Sequence, residues 1–351
     1  MARVTLQTIA DRVGVSRMTV SNAFSRPDQL SSELRARILE AAAELGYVGP
    51  DPTARALARG TSGAVGVLLT DSLEYAFTDE VATGFLGAIA SGLAPTGLAL
   101  TLLTSSGSPD SNPARDVPMD GALVYSCHDE SSAVDWLRRR KLPLVYVDQA
   151  PQAGIPSVNV DDRSGTRAAA QHIVDLGHRR IGIVTATFTG RHGVVADPLA
   201  DATGHVARNR LLGWLEPLEA AGVQPTVYQH SDSADSVGYD GARELLRAAN
   251  RPTAILCFSD AIAAGVVRGA ESLGLRVPDD LSVVGFDDNP LAARMSPQLT
   301  TVRQDVDAKG RAAAAALTAA IEQSRAGTKV RARHHLLPTE LVIRESTAPP
   351  P

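Results

Sequence analysis

Cysteine is nearly absent. Cys127 and Cys257 are the only two in 351 residues, too few for a disulfide framework or a zinc tetrad, and each ends an apolar run where a lone thiol reads as a small core residue. No long hydrophobic run exists either. The longest apolar stretch, around Ala312 to Ile321, is alanine-rich and well below the ~20 residues a membrane span needs, and the N-terminus lacks a hydrophobic signal core. The expectation is a cytoplasmic protein with no membrane partner. A basic coat is missing as well, with 34 basic residues against 39 acidic ones and a net charge of −5. Apolar content of 44% and charged content of 21% are ordinary for globular chains, which supplies a packed core and excludes global disorder. The length allows about two or three domains.

Enzyme signatures are missing too. No G-x-G-x-x-G follows a strand, no G-x-x-x-x-G-K-[ST] phosphate loop occurs, and there is no G-x-S-x-G elbow. The eight histidines form no HExxH. His334 and His335 are adjacent, so on a strand they point to opposite faces and cannot easily share one ion. Asp161-Asp162 and Asp287-Asp288 read as caps or solvated charges at strand ends. Nothing assembles into a reaction, so the chain is expected to have no enzymatic activity, no cofactor and no metal.

The charge is unevenly spread. Residues 1–60 carry eight arginines against six carboxylates, a surplus of two that leaves −7 for the remainder. This suggests a small anion-binding module on a larger acidic body. Within it Thr5 can cap a helix whose apolar residues Leu6, Ile9, Ala10 and Val13 fall on one face of a 3.6-residue period. Gly14 permits a tight turn, and Ser16 caps a second helix through Val20 to about Phe24. Its exposed side shows Arg17, Met18, Ser21 and Asn22, residue types that read grooves. Ser31 or Ser32 caps a third helix with Leu34, Ile38, Ala41, Ala42 and Leu45 inward, and Gly46 sits where a C′ glycine belongs. The unit is a three-helix bundle, and its spacing alone suits a plain bundle as well as a DNA-binding one. Pro50 and Pro52 then block further helix, while Thr53 to Leu57 can form one more turn or serve as a linker.

From residue 64 the pattern changes to short β-rich runs alternating with helices. AVGVLLT, LALTLLT, GALVYS and PLVYVD read as strands, with helices near Phe77 to Leu93 and Ala133 to Arg139. A second series follows: helix Ser164 to Leu176, strand RIGIVTA, a helix from about Arg208 to Ala221, a strand near Val227, helix Gly238 to Ala248, strand AILCF, helix Ala261 to Leu273 and strand LSVVGF. Two α/β halves in tandem imply two lobes of parallel sheet, with a ligand cleft at the carboxyl ends of the strands.

The run VTLQTIADRVGVSRMTVSNAF resembles the helix-turn-helix of the lactose-repressor (LacI/GalR) family nearly position for position. DDRSGTRAAAQHIVDLGHRRIGIV, RNRLLGW, PTAILCFSDAIAAGVVRGAESLGLRVPDDLSVVGFDDNP and LTTVRQD are similar to that family's effector-binding core, which shares its fold with periplasmic sugar-binding proteins. The resemblance implies a helix-turn-helix domain at 1–49, a hinge helix at 50–63 and a core at 64–345. Within the core, lobe 1 is expected at about 64–160 plus 299–325, and lobe 2 at about 161–288 plus 330–345. It implies DNA contacts from Thr5, Ser16, Arg17, Met18, Thr19, Ser21 and Asn22, and from Ala54, Arg55 and Leu57 of the hinge, with Leu57 wedged into a base step of the minor groove. It places Arg210 and Asp287 as the grip on an effector, joined by Asp71, Tyr75, Phe77, Ser259 and Asp260. Phe77 has a core alternative, and Asp71 and Asp260 have alternatives as helix caps.

The function so implied is a homodimeric, nucleoid-associated, sequence-specific DNA-binding regulator, most often a repressor in the family. Its partners are a pseudo-palindromic operator and a small-molecule effector such as a sugar or related metabolite. The alternative is a small-molecule binding protein with a non-functional headpiece. The chain departs from the family in three places. Ser259 stands where asparagine is common, and HSDSADS lacks an aromatic wall, which argues against a hexose. The stretch between LALTLLT and GALVYS is too short for the usual helix. The segment Thr187 to His205 is long, either a lid or disorder. The ending STAPPP has no leucine heptad, so a dimer is expected rather than a tetramer.

Overall fold

The computed structural model describes residues 4–49, 51, 56–57, 60–69, 73–104, 112–126, 131–187 and 190–351, and of Pro27 and Tyr75 only the backbone. Ala54, Arg55, Asp71 and Cys127 lie outside the described residues. The chain divides into two compact units, Met1–Gly63 and Ala64–Pro351.

In the first unit three helices form where caps and apolar spacing direct them. Helix α1 (Leu6–Val13) is capped reciprocally: the Thr5 hydroxyl accepts from the Thr8 amide, and the Thr8 hydroxyl accepts from the Thr5 amide. Gly14 ends it at φ 78°, a left-handed turn that a side chain would resist. Two residues later Ser16 caps α2 (Arg17–Ser25), its hydroxyl accepting from Thr19 N at 3.0 Å. Ser31 caps α3 (Ser32–Glu44) in the same way. Ile9, Ala10, Val20, Ala23, Ile38, Ala41 and Ala42 are the buried core, and Phe24 meets Tyr47 edge-on at its rim.

In the second unit, lobe 1 is built on six parallel strands: β1 (Ala64–Leu69), β2 (Ala99–Thr104), β3 (Ala122–Tyr125), β4 (Leu144–Val147), β5 (Ser157–Val160) and a late strand, β12 (His334–Leu337). Their order is β12-β5-β4-β3-β1-β2. The short helix α4 (Tyr75–Thr78) leads into α5 (Glu80–Leu93), which packs on one face with α13 (Val306–Arg325); α6 (Pro113–Asp116) and α7 (Ser132–Arg139) cover the other. The strands are apolar on both faces because both are covered. The four-residue α6 is all the helix found between β2 and β3 among the described residues.

Lobe 2 carries β6 (Ile181–Ala186), β7 (Gly193–Val195), β8 (Thr226–His230), β9 (Ala254–Cys257) and β10 (Ser282–Val284) in the order β10-β9-β6-β8-β7. The helix pairs α8 (Asp162–Asp175) with α9 (His205–Ala220), and α10 (Asp235–Leu246) with α11 (Asp260–Glu271), cover this sheet, and α12 (Pro290–Arg294) follows it. The long segment after Thr187 contains β7, which pairs antiparallel with β8 and closes that sheet edge.

The expected lobe boundaries need two corrections. The segment 330–345 does not return wholly to lobe 2, because β5 would otherwise be an open edge: β12 pairs with it in parallel, His334 opposite Ser157 and Leu337 opposite Val160. Likewise 299–325 is divided. Only α13 packs into lobe 1, while β11 (Thr301–Gln304) forms an antiparallel ribbon with β13 (Thr339–Val342) and bridges to lobe 2 through Val284–Thr300 and Asp287–Arg303. The chain then ends on lobe 2, where the Ser346 hydroxyl donates to Val283 O at 2.6 Å.

Candidate DNA-reading face and effector cavity

In the first unit, Arg17 and Met18 lie exposed on α2, and Thr19, Ser21 and Asn22 are half-buried beside them. Burial of Val20 and Ala23 fixes which way the helix faces, so the remaining positions must point outward. The Asn22 amide donates to Gln29 Oε1 at 3.1 Å, and the Ser16 and Thr19 hydroxyls lie 2.8 Å apart at the helix N-terminus. Thr5 and Ser16 are exposed caps at helix N-termini, where the aligned backbone amides favour an anion. Leu57 is helical and 85% exposed, a large apolar side chain that no core among the described residues accounts for.

In the second unit, buried charge is concentrated at one place. Arg210 projects from α9 and is 5% exposed. Its Nε donates to Asp162 Oδ1 at 2.8 Å, an Nη donates to Phe258 O, and the other lies 3.7 Å from Asp287 Oδ1. The guanidinium is sandwiched by rings, with Cζ 3.6 Å from the Phe286 centroid and 4.5 Å from that of Phe258. Burial opposes its charge, but Asp162 and Asp287 more than offset this and hold its pKa up. Asp162 is pushed up by burial, with Arg210 opposing.

Asp287 links this cluster to lobe 1. Its Oδ1 accepts from Gln304 Nε2 at 2.7 Å, Gln304 Oε1 accepts from Lys309 Nζ at 2.9 Å, and Lys309 Nζ donates to Asp148 Oδ2 at 2.7 Å. The line of contacts therefore runs from α8 and α9 in lobe 2, across β11, to α13 and the end of β4 in lobe 1. Asp287, Asp288 and Asp148 all have positive φ, at 119°, 53° and 54°, so backbone strain gathers where these carboxylates are presented. Arg303 and Arg344 both grip Asp288.

These groups wall a cavity of about 70 Å³ lined by Arg210, Ser259, Asp287, Gln304, Lys309 and Asp148, with Tyr125 and Phe258 among the rings. A wider groove of about 720 Å³ adjoins it, sharing Val81, Asp287 and Gln304, and Phe77 lies on that groove, 68% exposed. Of the residues expected at the effector site, Arg210, Ser259 and Asp287 meet at the cavity, and Phe77 stands outside it at the mouth. Asp260 is not on the wall. It is fully buried, with Oδ1 accepting from Thr301 Oγ1 at 2.5 Å and Oδ2 from Asn289 N at 3.0 Å, so it fastens β11 and α12 to α11. Ser259 also caps α11, accepting from Ile262 N. Asp162, Asp148, Gln304 and Lys309 were not anticipated. The signal for Lys309 was present: it falls on the apolar face of α13 with Val306, Ala313 and Leu317, a position where a cation has a partner or is not kept.

Burial, with a smaller contribution from Asp79, pushes the Asp287 carboxyl up to about 7 against the opposition of Arg210. A carboxyl that binds its proton more tightly in the folded than in the unfolded chain favours folding at low pH, and that contribution is lost as pH rises from about 4 to about 7. Denaturant unfolding of wild type and Asp287→Asn at pH 5.5 and pH 8 is expected to show wild type losing more stability between the two pH values than the variant. Parallel losses would mean that Asp287 is already ionised at pH 5.5.

Two family models match the chain: bacterial regulatory proteins of the lacI family over residues 5–49, and a periplasmic binding protein-like domain over residues 170–347. The HTH-type transcriptional regulator IpsA of Corynebacterium glutamicum is 38% identical over 87% of this chain and 88% of its own length. The chain belongs to the LacI family. Among solved structures, this LacI-family chain is similar to the lac repressor dimer bound to operator and an anti-inducer, at 27% identity, TM-score 0.78 and coverage of 99% of this chain and 100% of the other. It is also similar to the transcriptional regulator CelR in complex with cellobiose, at 27% identity, TM-score 0.70 and coverage of 98% and 100%. It is thus a DNA-binding transcriptional regulator with a helix-turn-helix head and an effector-binding core. No helix among the described residues is long and apolar enough to cross a membrane.

Proposed function

We propose that this LacI-family regulator is a homodimeric repressor in which α2 of each subunit reads one half of a pseudo-palindromic operator. The effector in this reading is a small, uncharged, hydroxyl-bearing molecule held at the cavity around Arg210 and Asp287. The observation that carries the reading is the fully buried Asp162–Arg210–Asp287 cluster on a cavity wall, in the same chain as an intact helix-turn-helix. A guanidinium fork and a carboxylate suit hydroxyl oxygens and protons. Arg210 and Lys309 are each already paired with a carboxylate, Asp162 at 2.8 Å and Asp148 at 2.7 Å, and that pairing suits a ligand without net charge. At about 70 Å³ the cavity is small beside the ~300 to 1,000 Å³ of typical ligand sites, so the effector enters as the lobes part toward the adjoining groove. A change in lobe angle is then what alters operator affinity. The alternative of an idle headpiece is disfavoured because its caps, turn glycine and core are all in place.

In this reading Thr5, Ser16 and Thr19 hold phosphates, and Arg17, Met18, Ser21 and Asn22 face base edges. Ala54, Arg55 and Leu57 enter the minor groove, while Asp71 and Tyr75 lie toward the effector. Arg17→Ala and Asn22→Ala are expected to relax base preference at their positions by about 1–3 kcal/mol per lost contact. For Asn22 the contact requires that its amide exchange Gln29 for a base. Selection from a randomised palindromic operator library, with mobility shifts with and without neutral sugars, tests both claims. Unchanged discrimination in both variants would remove α2 as the reading helix.

A further inference from the structure

Lys309 is the one charged residue among the buried residues of α13, beside Gly310, Ala313, Ala314, Leu317, Ala320 and Ile321, and it is 1% exposed. Its ammonium uses two of its three N–H donors, on Asp148 Oδ2 at 2.7 Å and Gln304 Oε1 at 2.9 Å, and it lies 5.6 and 5.7 Å from the centroids of the stacked Phe85 and Tyr125 rings. Asp148 is 7% exposed, and among the described residues its Oδ1 is buried with no hydrogen-bond partner. Both residues line the cavity. A buried carboxylate oxygen without a donor is costly, and Asp148 leaves one at the edge of the cavity that the residue lines. Beside it stands the Lys309 ammonium, which among the described residues uses two of its three donors.

We propose that Lys309 and Asp148 form a second recognition element of the effector cavity, on the lobe opposite Arg210. Asp148 Oδ1 accepts the proton of one ligand hydroxyl while Lys309 donates to the oxygen of the same or the neighbouring hydroxyl. This rests on the cavity being the effector site, and it deepens that reading by saying what the site rejects. A hydroxyl satisfies both groups. A ligand ammonium serves Asp148 but is repelled by Lys309, and a ligand carboxylate does the reverse. The pair therefore selects an uncharged polyhydroxylated ligand against its charged analogues, which Arg210, already committed to two carboxylates, does not do alone.

The test is calorimetric titration of the full-length protein with D-ribose, D-glucose, myo-inositol and cellobiose, and with the amino-deoxy and carboxylate analogues of whichever binds. Wild type is expected to bind at least one neutral probe and to bind its charged analogues at least tenfold more weakly. Lys309→Met, which keeps the length and packing of the side chain, is expected to lose at least tenfold in affinity for the neutral probe and to narrow the margin against the amine. Asp148→Asn, which tolerates the left-handed backbone, is expected to narrow the margin against the carboxylate. If Lys309 only braces β4 against α13, Lys309→Met changes the melting temperature and leaves both affinities and their ratio as in wild type. That result overturns the proposal, as does equal wild-type affinity for neutral and amine probes. If wild type binds no neutral probe but still binds operator, the cavity itself has been misread, and the proposal falls with it.

Discussion

Arg210→Ala is expected to lower the stability of the effector-binding core by about 3–5 kcal/mol, because it leaves Asp162 and Asp287 buried without their counter-ion. For a unit of this size that corresponds to a fall in melting temperature on the order of 10 °C. The same substitution is expected to abolish the response of operator binding to effector. The two effects share one cause: the side chain that neutralises the carboxylates also lines the cavity. Melting curves and operator mobility shifts of wild type and Arg210→Ala, each with and without a bound neutral sugar, separate the components. Asp162→Ala serves as a comparison, since it unpairs the same buried charge from the side away from the cavity. A destabilised Arg210→Ala protein that still releases operator with effector would mean that Arg210 is a purely internal tie.

Gly265→Ala is expected to be comparably damaging, at the upper end of or beyond the ~1–3 kcal/mol usual for overpacking. Helices α10 and α11 approach so closely that a Cβ at Gly265 would stand 1.8 Å from Asp235 O, and one at Gly238 would stand 1.9 Å from Ile262 O. The obstacle on each side is backbone, which no rotamer change relieves, so the helices must move apart and uncover Val237, Ile262 and Val266. Circular dichroism melts should show loss of the lobe 2 transition while the first unit keeps its own. Gly204→Ala, where nothing lies within 4 Å of the added carbon, is the matched control. A Gly265→Ala protein melting like wild type would show that the helices separate freely.

The head was legible because its information is local. Caps at Thr5, Ser16 and Ser31, a turn at Gly14 and a 3.6-residue apolar period each act within a few residues, and the structure places each of them as the spacing required. The alternating strands and helices of the core were legible for the same reason. The short β7 and the shared return of 330–345 were not. Edge pairing depends on which strand lacks a neighbour, and β5 acquires its own from a segment 177 residues later while β8 takes one from the segment just before α9. Asp260 reads from sequence as a cleft carboxylate at a strand end, but Thr301, 41 residues on, takes its Oδ1 inward.

What the sequence by itself determined is therefore the inventory: a helix-turn-helix with an outward face of Arg17, Met18, Ser21 and Asn22 and a two-lobed parallel α/β core, while Arg210 and Asp287 are singled out only through the resemblance to the LacI family. Periodicity, capping and turn chemistry are short-range, so they survive in a linear reading. What only the tertiary structure decided is how the buried charges are wired. Asp148, Asp162, Arg210, Asp287, Gln304 and Lys309 come from six separated positions, on α8, α9, β11 and α13 and just after β4 and β10, and join through contacts of 2.7 to 3.7 Å. Buried charge is tolerated only where partners converge in space, and that convergence is a property of the folded chain alone.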